Sequence, residues 1–140
     1  TPSIEEEQLG VERVPFRQLL LESDYVTLHV PLISATKGLI GKDELSQMKS
    51  SAYIINTSRG GIINEQALYE ALRDKKISGA ALDVFEVEPP HENPLVELKN
   101  VIVTPHMGAF TIESTILTSE LTASNLLQAL KGQNVANIVN

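Results

Sequence analysis

The sequence predicts an α/β fold built on a doubly wound parallel sheet. Three observations carry that reading. Four short runs rich in β-branched and other apolar residues recur along the chain, helix-patterned stretches stand between them, and the runs are almost continuously apolar rather than alternating. Strands covered on both faces read in that way, and strand–helix alternation implies right-handed crossovers between parallel strands.

Each element has its own signal. Residues 16–22 hold the cluster Leu19-Leu20-Leu21 and predict a helix. Residues 25–30 (YVTLHV) predict the first strand, and residues 42–48 a short helix ended by polar residues. Residues 52–56 (AYIIN) predict the second strand. Residues 64–75 predict a helix: Asn64 suits the cap, Glu65 the positive end, and Leu68, Ala71 and Leu72 form a core stripe. Residues 79–84 (GAALDV) and 101–104 (VIVT) predict the third and fourth strands. Residues 111–131 predict the longest helix, capped by Thr111 and closed by Gly132. Its residues Ile112, Thr115, Ile116, Ser119, Thr122, Ala123, Leu126, Leu127 and Leu130 share one broad face. The stretch 85–100 contains Pro89, Pro90 and Pro94, so it reads as a long loop, a feature often tied to function.

Composition sets the outer bounds. The chain has 140 residues, 42% of them hydrophobic and 21% charged, which fits one folded domain rather than a disordered segment. Acidic residues outnumber basic ones by 18 to 11, for a net charge of −7, so phosphate backbones and anionic membranes are poor partners. No apolar run approaches the roughly 20 residues that cross a bilayer. Cysteine is absent, which excludes disulfides, thiolate metal sites and a cysteine nucleophile. His29, His91 and His106 lack metal-ligand spacing, and there is no G-x-S-x-G, G-x-G-x-x-G or Walker loop. The start, Thr1-Pro2-Ser3-Ile4 followed by Glu5-Glu6-Glu7, is no signal peptide and has no initiator methionine. It reads as the start of a piece of something longer, in a cytoplasmic setting.

The reactive side chains cluster in the pattern. His29 ends the first strand; Thr57, Ser58 and Arg59 follow the second; Asp83 closes the third, with Glu88 just beyond; His106 follows the fourth. In a parallel sheet these ends share one rim, where ligands of open α/β sheets bind. Arg59, beside Gly60 and Gly61, suits a carboxylate held bidentately, or else an ordinary surface ion pair. His106 suits proton transfer near neutral pH, or a cap. Glu88 is either a partner that fixes an imidazole tautomer or a solvated loop acid. Asp83, inside an apolar run, needs partners: a backbone turn or a ligand.

These residues lie in three long motifs: NTSRGGIINEQAL at 56–68, GAALDVFEVEP at 79–89 and VTPHMGA at 103–109. Together, and in this order, they resemble the D-isomer-specific 2-hydroxyacid dehydrogenase family. LHVPL at 28–32 looks like that family's adenosine-side strand end, and GQNVANIVN at 132–140 is similar to phosphoglycerate dehydrogenase members. The resemblance implies a Rossmann-like domain of an oxidoreductase that uses NAD, with NADP not excluded. Its substrates would be small 2-keto or D-2-hydroxy acids, with 3-phosphoglycerate among the candidates. It implies that Arg59 holds the substrate, His106 passes the proton and Glu88 tunes it. It also places Asp83 and Gly108 on the nicotinamide side and His29, Val30, Pro31, Thr57 and Ser58 along the cofactor, with Arg59 and His106 touching it as well. Phe110 and Met107 depart from the usual residues.

The resemblance further implies that the glycine-rich first half of the cofactor domain and the substrate domain are absent from this chain. The fragment alone would then be nearly inactive, and a homodimer is expected. A cofactor-sensing dimerisation or co-regulator module without turnover is the alternative.

Overall fold

The computed structural model describes residues 8–135, 137 and 138. The acidic run at residues 5–7 and parts of the closing segment 132–140 lie outside the described residues. The chain divides into two compact units, one ending at His106 and one starting at Met107.

The first unit is a four-stranded parallel sheet with helices in its connections. Its elements are α1 (Phe16–Glu22), β1 (Tyr25–Leu28), α2 (Lys42–Gln47), β2 (Tyr53–Asn56), α3 (Glu65–Arg73), β3 (Gly79–Leu82), a 3₁₀ turn (Pro94–Glu97) and β4 (Val101–Val103). The strands lie in the order β1-β2-β3-β4. Leu28 pairs with Asn56, Asn56 with Leu82 and Leu82 with Val103, so the strand ends form one level rim. With every neighbour sequential and parallel, successive right-handed crossovers fall on one side of the sheet.

Burial follows that geometry. Val26, Leu28, Ile54, Ala80 and Leu82 are buried, and they pack with Leu20, Ile40, Leu45, Leu68, Leu72, Ile77 and Leu95 from the helices and connections. Truncating one of these leucines or isoleucines to alanine costs about 2–5 kcal/mol. The opposite face differs from the expectation of strands covered on both sides. Tyr25, Tyr53 and Ile102 are exposed there, and β1 alternates strictly between exposed and buried. The run reads as continuously apolar because both faces carry apolar residues. On the open face the Tyr25 and Tyr53 rings stack at 5.5 Å.

Local signals place the helix ends. The Asn64 side chain accepts the Ala67 amide at 2.8 Å and caps α3. Glu44 accepts the Gly41 amide at 3.0 Å at the start of α2. Within the loop 85–100, Asn93 accepts the Leu95 amide at 3.0 Å and Pro94 opens the 3₁₀ turn. The Asn-Pro pair carries the start signal for that turn, inside a stretch whose prolines otherwise mark a loop.

The second unit contains α4 (Ile112–Leu130). Thr111 caps it by accepting the Ser114 amide at 3.0 Å, as its sequence predicts. None of its residues is buried, and Ile112, Ile116, Leu126, Leu127 and Leu130 are all exposed. Among the described residues, no helix is long and apolar enough to cross a membrane.

Candidate active site

The site is built on the carboxyl ends of the four strands. Each strand there gives way to a turn, and the turns carry the polar residues.

After β2 the turn is organised by Asn56, which is buried at 2% exposure. Its amide Nδ2 donates to the Arg59 carbonyl at 2.9 Å, and its Oδ1 accepts from the Ser58 amide and hydroxyl at 3.1 and 3.0 Å. Ser58 is therefore fixed, and Thr57 and Arg59 are turned outward, both exposed. The Arg59 guanidinium donates through Nη1 to the Ser58 carbonyl at 2.6 Å. Gly61 takes a left-handed φ of 79°, and the chain then pairs back along residues 38–40: Gly38 and Ile40 donate to the Gly61 and Ile62 carbonyls. Sequence reasoning missed both the Asn56 network and this pairing. A polar residue ending an apolar strand was the available signal for the first.

Gly60 meets the next turn. A Cβ there would lie 1.9 Å from the Phe85 carbonyl oxygen and 2.7 Å from the Glu86 nitrogen. Only glycine admits so close a backbone approach. The Arg59 turn thus abuts the turn after β3.

That second turn begins at Asp83, one residue past the strand. Asp83 is 4% exposed and accepts a hydrogen bond from the Thr104 hydroxyl. The expectation that this buried carboxylate has partners is met. Glu88 folds back so that its Oε1 accepts the Phe85 amide at 3.0 Å, and its Oε2 lies 2.7 Å from Nδ1 of His106. An ionised carboxylate only accepts, so Nδ1 carries the hydrogen and Nε2 is left for other chemistry. The hydrogen bond from His106, then that from Phe85, hold the Glu88 carboxyl below its ordinary range, against the opposing effects of desolvation and of Asp83.

His106 sits at a φ of 51°, unusual for a residue with a side chain, and such backbone strain clusters at functional sites. Asp83, Phe85, Glu88, Thr104 and His106 line one cavity of about 290 Å³. His29, Val30, Pro31, Ser58 and Arg59 line a second, beyond β1 and β2. The His29 Nε2 lies 2.9 Å from the Thr27 hydroxyl. Of the sequence-predicted residues, Glu88 and His106 touch directly and share a cavity with Asp83. Arg59 lines the neighbouring one, and Gly108 falls in the second unit. Among the described residues no cluster could hold a metal ion.

Comparison with known proteins decides the family. The description "D-isomer specific 2-hydroxyacid dehydrogenase, NAD binding domain" matches residues 1–108. The chain belongs to this family. The D-3-phosphoglycerate dehydrogenase of Methanocaldococcus jannaschii is 47% identical over 135 residues, which is 96% of this chain and 26% of that protein. The glyoxylate reductase of Thermococcus litoralis is 47% identical over 135 residues, 96% of this chain and 41% of that protein. Among solved structures, the D-lactate dehydrogenase of Aquifex aeolicus complexed with NAD and lactic acid superposes with a TM-score of 0.87 at 33% identity, covering 94% of this chain and 44% of that one. The chain thus spans between 26% and 44% of the length of these relatives. The rim itself offers an open strand-end groove beside Val30 and Pro31, an exposed Thr57, a half-buried Ser58 whose hydroxyl is bonded to Asn56, and a buried carboxylate at Asp83.

Proposed function

We propose that the whole protein carrying this chain is an NAD-dependent dehydrogenase. It interconverts a small 2-keto acid and its D-2-hydroxy acid, and this chain is the part of the NAD-binding domain that supplies the proton-handling groups. The carrying observation is the Glu88–His106 pair at 2.7 Å on the carboxyl rim of the sheet. Groups for the cofactor are His29, Val30, Pro31, Thr57, Ser58, Arg59, Asp83 and His106. The bound nicotinamide supplies or accepts the hydride.

The chain's own residues do the rest. Arg59 offers a planar fork of donors that suits a carboxylate. It also places positive charge near the oxygen that becomes an alkoxide during reduction. Protonated His106 donates the Nε2 proton to that oxygen and is left neutral; in oxidation the proton returns to Nε2. Glu88 holds Nδ1–H and fixes the ring's tautomer and orientation. Relatives named for 3-phosphoglycerate, a 2-hydroxy acid, and for glyoxylate, a 2-oxo acid, support a short 2-hydroxy or 2-keto acid as substrate, 3-phosphoglycerate included.

A homodimer is part of the proposal. The exposed leucines and isoleucines of α4 give a partner apolar surface to cover.

Arg59→Ala in the whole protein tests the assignment. Losing a charged, bidentate contact costs about 3 kcal/mol, so kcat/KM for 2-keto-acid reduction falls by about 100-fold or more. Full turnover in that variant removes Arg59 from the reaction.

A further inference from the structure

We propose that Glu65 is a positioning residue for the Glu88–His106 pair, a single carboxylate that grips both ends of the turn carrying Glu88. The inference rests on the reading of Glu88 and His106 given above and adds a residue to it.

Glu65 is the first residue of α3, a helix locked into the core by Leu68, Ala71 and Leu72. Its Oε1 accepts the Glu86 amide at 2.6 Å, and its Oε2 accepts Nδ2 of Asn93 at 2.7 Å. Residues 87–92, with Glu88, Pro89 and Pro90 among them, are strung between those two points. Neither anchor is loose. Gly60 packs directly beneath the Phe85–Glu86 peptide, and Asn93 is fixed on its other side by accepting the Leu95 amide at 3.0 Å.

The bonds form one chain. Core helix α3 holds Glu65, Glu65 holds Glu86 and Asn93, and the turn so held directs Glu88 onto the Phe85 amide and His106.

The chemistry of the grip requires a carboxylate. Two N–H donors converge on it, one per oxygen, and an ionised carboxylate accepts at both. Glutamine offers one acceptor and sets its own NH₂ against the second donor. A helix-start glutamate is ordinarily explained by the macrodipole alone. That explanation leaves unstated why both oxygens reach across to a loop more than twenty residues away in sequence.

Two substitutions in the whole protein test this, each read by pH-dependent kcat/KM and by ¹³C NMR titration of the Glu88 carboxyl. In Glu65→Gln the Glu88 midpoint rises toward the ordinary carboxylate range. The acidic limb of kcat/KM moves to higher pH with it, and the plateau falls about tenfold, as loss of one charge-assisted bond predicts. Asn93→Ser keeps an acceptor for the Leu95 amide but no longer reaches Glu65. It shifts both readouts the same way by less, and it decides the matter if Glu65→Gln fails to fold. A drop in rate or melting temperature with the Glu88 midpoint and acidic limb unmoved would show Glu65 to be merely structural and overturn the proposal. Absence of 2-keto-acid turnover in the unsubstituted protein would instead defeat the dehydrogenase reading, while the NMR titration would still judge Glu65.

Discussion

Glu88 is an exposed acid whose ionised form is held by two hydrogen bonds, one from His106 and one from the Phe85 amide. Folding therefore lowers its pKa. A group lowered in this way stabilises the fold fully above its unfolded value, about 4.3 for glutamate. The contribution is lost as pH falls through the lowered folded value. Glu88→Gln should accordingly melt below the unsubstituted chain near neutral pH, with the gap closing below about pH 4. Thermal unfolding at pH 7 and pH 3 checks this, and an equal gap at both would show that the ionised carboxylate is not what stabilises. The sequence marked Glu88, Arg59 and His106 because their types and neighbours match a family motif. Asn56 was passed over, since a single amide at a strand end looks like any other until its three hydrogen bonds are seen.

At the scale of elements, the rim depends on how two turns meet. The turn after β2 and the turn after β3 touch where Gly60 lies under the Phe85 carbonyl. The glycine pair at 60 and 61 reads in sequence as a sharp turn, and Gly61 does have a positive φ. Gly60 has another reason to be glycine, and only the neighbouring strand's turn supplies it. Gly60→Ala would drive a methyl group into backbone that has no rotamer to yield. A cost of about 3 kcal/mol follows, lowering the melting temperature by about 10 °C and disturbing the Glu88–His106 hydrogen bond. A melting temperature within a degree or two of the parent would show that the two turns slide apart easily. Helix caps, by contrast, were readable: Asn64 and Thr111 stand where their sequence signals put them, because a cap is satisfied by amides two or three residues away.

At the scale of the whole molecule, apolar residues stand on surfaces that the described structure leaves exposed. One is the sheet face bearing Tyr25, Tyr53 and Ile102; another is α4, which has no buried residue. Exposed apolar area on this scale marks association. The 140-residue chain should self-associate, with a sedimentation coefficient that rises with concentration. Leu126→Asp combined with Leu130→Asp should weaken that association if α4 carries it. A monomer at every concentration would dismiss the chain as a source of dimer contacts.

The sequence by itself determined the parallel α/β class, the order of strands and helices, and the family. Those depend on local periodicity, caps and contiguous motifs, all of which are written within a few residues of one another. Tertiary structure alone decided the contacts that hold the turns in place, whereas the pairing of Glu88 with His106 was already implied by the family resemblance. The contacts of Gly60 with Phe85, and of Glu65 with Glu86 and Asn93, join residues from 21 to 28 positions apart. It also decided that one face of the sheet is buried and the other open. Strand pairing and crossover geometry create such neighbours, and no local pattern records them.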